Sequence, residues 1–142
     1  MWKKLNFLYC PSGEKSWSLT HATVPTPFYL GHDEYRVFFS TRDSSLRNRV
    51  GFIDIVIKDK DEIKVIRESS RPVIDLGDLG CFDCDGIYAT SLVKNGDDLF
   101  FYYAGWNAGL RGLFYSNIGL AISKDCGNSF SKYSNAPILS RD

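Results

Sequence analysis

The chain has 142 residues, the size of one domain. Lys plus Arg and Asp plus Glu each number 17, so the formal charge is zero. That argues against a nucleic-acid binder, whose affinity comes mainly from surplus basic side chains. Hydrophobic residues at 44% and charged residues at 24% suit a soluble globular domain and not a disordered one.

Lys3 and Lys4 open the chain, but only Leu5–Cys10 follows before Pro11. That stretch is too short, and too polar at Asn6, for a signal peptide. No apolar run approaches the roughly 18 residues of a membrane-spanning helix. The expectation is a cytoplasmic protein whose four cysteines (Cys10, Cys81, Cys84 and Cys126) are reduced. The compositional outlier is aromatic content, at 15%. Rings favour pleated, half-buried surfaces, which leans toward β-structure.

Runs rich in Val, Ile, Phe and Tyr, bounded by Gly, Asp, Asn and Lys, predict eight strands. The first four are Thr23–Leu30, Tyr35–Thr41, Arg49–Ile57 and Ile63–Glu68. The second four are Ile87–Lys94, Leu99–Trp106, Asn117–Ser123 and Ser129–Tyr133. No helical periodicity of useful length appears.

The two sets of four are one unit written twice. Tyr35–Asp43 matches Leu99–Asn107 at a shift of 64 residues, and the polar turn Gly31–Glu34 matches Asn95–Asp98 at the same shift. Val50–Ile53 matches Ile118–Ala121 at 68, and Arg71–Ile74 matches Ala136–Leu139 at 65. The second strand of each copy is apolar at consecutive positions, Val37-Phe38-Phe39 and Phe100-Phe101-Tyr102-Tyr103. A strand buried on both faces needs a layer on each side. Four-stranded sheets stacked around an axis, a β-propeller, supply those layers. The expected fold is all-β, two four-stranded blades of a propeller over 1–142, with blade 1 at about 20–70 and blade 2 at about 83–136.

Ser123-Lys124-Asp125-Cys126-Gly127-Asn128-Ser129-Phe130 has the form of an Asp-box, the turn between the third and fourth strands of propeller blades. In it an Asp carboxylate accepts turn amides, Gly supplies positive φ and an aromatic packs beneath. An ordinary Asp-Cys-Gly-Asn hairpin is the alternative, and either leaves a hairpin there. Propellers close with roughly four to eight blades. Two copies consume the chain, and Asp142 falls where a third would begin. Its partners are then the remaining blades of a longer propeller, or further copies of itself, because two open blades expose apolar faces.

The ordered set Trp17, His21–Pro27, Tyr35–Asp43, Gly80–Ile87, Tyr102–Asn107 and Gly119–Ser123 resembles the five-bladed β-propeller glycoside hydrolases. These are the arabinanase, xylosidase and β-fructosidase superfamily of families 43 and 32, with the "glucosyl hydrolase"-type branch most similar. The resemblance covers nearly the whole chain but only the first two blades of such a protein. It implies hydrolysis of a glycosidic bond by the complete protein.

In a propeller the starts of first strands and the ends of second strands share one rim. That places His21, Asp83 and Asp85 beside Arg42, Asp43, Trp106 and Asn107. Glycoside hydrolysis typically uses two carboxyl groups flanking the scissile bond. Asp83 and Asp85 are the expected catalytic pair, Asp83 first because it matches the Phe-Asp pair of the resembled family. Arg42, Asp43, Trp106, Asn107 and His21 are the expected carbohydrate-binding set: a charge beside a carboxylate, a ring face for a pyranose, and hydroxyl partners. Other readings stand beside these. Asp83 and Asp85 also make a turn composition, Trp106 also suits burial, Arg42-Asp43 also suits a loop-fixing ion pair, and His21 also suits a turn.

The sequence departs from that family in three respects. Cys84 stands where a second acid is frequent, His21 stands at the first-blade position of an Asp base, and the third-blade Glu acid lies outside the chain. These 142 residues alone are therefore expected to be inactive, and a non-catalytic carbohydrate-binding or protein-scaffolding propeller is the alternative. Cys81 and Cys84 form a single Cys-x-x-Cys, and a structural zinc needs two more ligands. No metal or cofactor is expected.

Overall fold

The computed structural model describes residues 1, 4–59, 62–110 and 114–140. Among them there is no helix, and eight strands form one sheet. The strands are β1 (Thr20–Gly31), β2 (Glu34–Arg42), β3 (Asn48–Asp59), β4 (Glu62–Glu68), β5 (Gly86–Asn95), β6 (Asp98–Ala108), β7 (Phe114–Ser123) and β8 (Ser131–Lys132). All eight fall where alternation and turn residues predict them. The differences are at ends: β1 and β7 each start three residues early, and β8 shrinks to two. No helix among the described residues is long and apolar enough to cross a membrane.

The sheet is two antiparallel four-stranded meanders, β1-β2-β3-β4 and β5-β6-β7-β8. A single parallel bridge, Asn48 to Gly86, joins them. The sequence repeat reappears as pairing register. Phe39 pairs with Gly51 as Tyr103 pairs with Gly119. The Pro-containing segments after each meander return in the same way, through isolated bridges Val50–Ile74 and Ile118–Leu139. β2 and β6 are not neighbours.

The main core lies between the meanders. Phe38, Val50 and Phe52 of the first pack with Ile87, Phe101, Tyr103 and Phe130 of the second. Phe38 is fully buried, with ring centroids of Phe52, Phe101 and Phe130 at 6.1, 5.6 and 5.7 Å. Truncating such a ring costs about 3–5 kcal/mol. A buried ion pair also ties the layers: Arg36 bonds Asp54 through Nε at 2.8 Å and donates from Nη1 to the Cys126 carbonyl at 2.8 Å.

The faces away from this core differ. In the first meander Phe39, Ile53 and Ile55 are buried, and Tyr9 of the N-terminal segment packs on Phe39 at 5.0 Å. In the second, β6 alternates strictly: Phe101 and Tyr103 are buried, while Phe100, Tyr102 and Trp106 are half-buried. Burial of β6 on both faces, expected from its composition, is therefore not what these residues achieve. Its outer aromatic face has no second layer among them.

The Ser123–Phe130 turn is organised by one carboxylate. Asp125 accepts the Ser129 amide (2.9 Å), the Ser129 hydroxyl (2.6 Å) and the Ser123 hydroxyl (2.7 Å). Cys126 and Gly127 take φ of 56° and 80°, and Phe130 inserts into the core. Burial alone would raise the Asp125 pKa, but the bonds from Ser129 and Ser123 outweigh it and hold it at about 2.

Candidate functional site

The strand ends at one edge of the sheet line up residue by residue. Thr20 pairs with Arg42, Arg42 with Asn48, Asn48 with Gly86, Gly86 with Trp106, and Trp106 with Ser116. Directly paired residues present neighbouring side chains. One row thus carries Arg42, Asn48 and Trp106 across both meanders, with His21, Asp43, Asp85 and Asn107 beside it in sequence. The paired strand ends form one line of register along this edge.

What each side chain does there differs from residue to residue. Arg42 is half-buried, and its side chain makes no hydrogen bond or ion pair among the described residues. Asp43, 7% exposed, does not pair with Arg42. Its Oδ1 accepts the Ser45 and Arg47 amides at 2.8 and 3.0 Å, and its Oδ2 takes Arg47 Nε at 3.1 Å and Arg49 Nη1 at 2.5 Å. Burial pushes its pKa up, but the bonds from Arg49, Arg47 and Ser45 outweigh that and lower it. Burial would lower the Arg49 pKa, but its bonds to Asp43 and to Asp75, the latter at 2.9 Å, outweigh that and raise it. Asp43 is committed to shaping its own loop.

Asp85 is half-buried, and its Oδ2 accepts the Ala108 amide at 2.8 Å. Asn107 is half-buried beside it. His21 is exposed, takes φ of 68°, and contacts the Thr20 hydroxyl through Nδ1 at 2.9 Å. Trp106 is half-buried, its ring 5.9 Å from that of Phe114. Its Nε1 edge lies against Gly86, where any Cβ would overlap it, so the position requires glycine.

Asp83 is placed otherwise than the rim reading expects. It is 1% exposed. Its Oδ2 accepts the Tyr103 hydroxyl at 2.9 Å and pairs with Lys132 Nζ at 2.7 Å. A Cβ on Gly105 would meet Asp83 Cβ at 2.5 Å, so Asp83 lies on the Tyr103–Gly105 face of β6. Trp106, one residue on, points to the other face. Asp83 and Asp85 are two apart and would share a side of an extended strand, but here they sit in the turn leading into β5, so that alternation fails. The Tyr103 pKa is raised by burial and by the Asp83 charge, which keeps its hydroxyl a donor.

Asn48 escapes a sequence reading. It is 1% exposed, and neither Nδ2 nor Oδ1 finds a partner. Nor does Trp106 Nε1, which is also buried. Among the described residues these three are the buried side-chain polar atoms left unpartnered, and all lie on the row. The only hint in the sequence is a polar residue placed where an apolar strand begins. Lys132 was equally hidden, because it reaches Asp83 from a strand far along the chain.

All four cysteines are free thiols, and Cys81 and Cys84 sit in one turn closed by a 3.3 Å amide–carbonyl bond. Among the described residues no group of three or more His, Cys, Asp or Glu could hold a metal ion. A hollow of about 540 Å³ opens at the far end of β6 and β7, lined by Lys124, Asp125 and Lys132. Asp125 there is spent on its own turn.

No protein-family model matches the chain. Two curated relatives, uncharacterized proteins MT1551 and Rv1502 of two Mycobacterium tuberculosis strains, are each 34% identical over 143 residues, 99% of this chain. The chain spans 46% of their length, so about half. Among solved structures, 98% of the chain superposes on 39% of Zg3597, a family 117 glycoside hydrolase produced by the marine bacterium Zobellia galactanivorans. The TM-score is 0.69 at 18% identity. A second structure, of a glycoside hydrolase, matches over 94% of this chain and 40% of its own at TM-score 0.62 and 14% identity. A third, a BT0996 complex with RGII, matches over 82% of this chain and 37% of its own at 0.55 and 14% identity. The chain therefore shares its all-β fold with part of glycoside hydrolases. The named family is 117, distinct from the families 43 and 32 that the sequence motifs resemble.

Proposed function

We propose that this chain forms two blades of a β-propeller that handles carbohydrate, hydrolysing a glycosidic bond when further blades complete it. Blade 1 is about 20–70 and blade 2 about 83–136. The carrying observation is the row from Thr20 to Ser116, which gathers a guanidinium without a partner among the described residues, an amide and an indole on one edge of a fold shared with glycoside hydrolases. The uncovered aromatic face of β6 and the 46% coverage of the relatives support a further blade stacking there.

In this reading Arg42, Asn107 and His21 meet hydroxyls, and Trp106 offers a ring face. Asp85 is the rim carboxylate with an oxygen to spare, and it takes one of the two carboxyl roles. Asp83 acts as a buried anchor instead of the primary catalytic group, so the second carboxyl comes from outside these residues. A non-catalytic sugar-binding propeller is the second reading. It is favoured by the commitment of Asp43 and Asp83 to internal partners.

The test is made on the full natural chain with a panel of neutral and acidic oligosaccharides, following binding by calorimetry and cleavage by reducing-end release. Hydrolysis that Asp85→Asn lowers by orders of magnitude, with folding intact, supports the enzyme. Binding without cleavage supports the module, and absence of both across the panel refutes the carbohydrate reading.

A further inference from the structure

The row carries more than a generic sugar site, because its polar groups are unbalanced toward donors. Among the described residues Arg36, Arg47, Arg49 and Arg67 each have a carboxylate partner. Exposed Arg71 has none, and neither does Arg42, which is half-buried and next in sequence to Asp43, because Asp43 is spent on Arg47 and Arg49. Opposite Arg42 in register stands Asn48 with both amide ends unpartnered, so the finding does not depend on which end is nitrogen. Trp106 Nε1 adds a third unpartnered atom, across Gly86 from Asn48. A buried polar atom without a partner forfeits its hydration with nothing in return. A half-buried guanidinium without a counter-charge adds to that cost.

We propose that the Arg42–Asn48–Gly86–Trp106 row is a subsite for a carboxylate-bearing sugar unit, the carboxylate on Arg42 and ring hydroxyls on Asn48 and the Trp106 indole. A guanidinium takes a carboxylate through two parallel N–H bonds. An amide donates and accepts at once, as a sugar hydroxyl does. The indole is held by ring contact with Phe114 and by no bond of its own Nε1. On this proposal the indole moves off Gly86 when the ligand binds, and the ligand supplies partners to Asn48 and Trp106 Nε1. This inference rests on the carbohydrate reading and narrows its substrate to acidic sugars.

Galacturonate and galactose differ only in a carboxylate against a hydroxymethyl group, so the pair isolates the claim. Both are titrated into the full natural chain by calorimetry, with the Trp106 indole N–H followed by NMR and acetate as a third probe. The expected result is galacturonate tighter than galactose by about ten-fold or more, weakening with salt. Arg42→Gln then brings the two sugars level, and Asn48→Leu weakens both while leaving stability unchanged or higher. Equal binding of the two sugars overturns the acidic-sugar inference and leaves the carbohydrate reading standing. Acetate binding as tightly as galacturonate overturns it as well, revealing a bare anion pocket. Failure of both sugars to bind also overturns it, and the oligosaccharide panel then decides the broader reading separately. If Arg42→Gln fails to fold, a missing Trp106 indole shift in the unmutated chain refutes the subsite on its own.

Discussion

Replacing Asp83 by Asn separates an anchor from a catalyst. The substitution keeps volume and still lets an oxygen accept from Tyr103, but it removes the charge facing Lys132. That ammonium lies 2.7 Å from Asp83 Oδ2, on a side chain only 17% exposed. Removing one partner of a buried pair typically costs about 3–5 kcal/mol. Lys132 keeps some contact with water, so the expectation is the low end, about 3 kcal/mol. With a urea m-value of about 2 kcal/mol/M, the unfolding midpoint falls by about 1.5 M. The double variant Asp83→Leu with Lys132→Met replaces both charges by apolar groups and recovers most of the loss. Urea unfolding followed by tryptophan fluorescence on the three proteins measures this. A midpoint within about 0.3 M of the parent for Asp83→Asn, roughly 0.6 kcal/mol, would refute the anchoring argument.

Two further outcomes follow from other parts of the fold. Asp125 and Asp43 both have folded pKa values below the ordinary 3.8, Asp125 at about 2. Their contribution is therefore present above about pH 4 and is lost as pH falls toward about 2. Asp125→Asn should flatten the acid limb of a stability–pH curve, and an unchanged limb counts against the turn's role. Gly119→Ala drives a methyl into the Tyr103 ring and Gly51→Ala, its counterpart in the first copy, meets Trp17 at 2.8 Å. Each should destabilise by about 1–3 kcal/mol in thermal unfolding, Gly119→Ala more, and a neutral effect at both contradicts the close-packed register.

Local physics made most of the fold legible in the residues. Alternation, turn composition and a unit repeated at shifts of 64 to 68 depend on neighbours along the chain, and they located eight strands and two meanders. The rim followed from strand direction, because antiparallel neighbours must bring the start of one strand to the end of the next. The all-β class was determined in this way, and the repeat aligned Gly51 with Gly119.

Tertiary packing alone decided which partners the candidate side chains take. Asp43 chose Arg47 and Arg49 over adjacent Arg42, because the loop folds back on itself and neighbours along a strand face opposite ways. Asp83 was drawn inward because the turn before β5 breaks alternation and Lys132, from the last strand, meets it in the core. Asn48 lost its hydrogen-bond partners where two meanders meet at a glycine. Burial, face and partner are properties of what packs against a residue from elsewhere in the chain. No spacing along the sequence contains them.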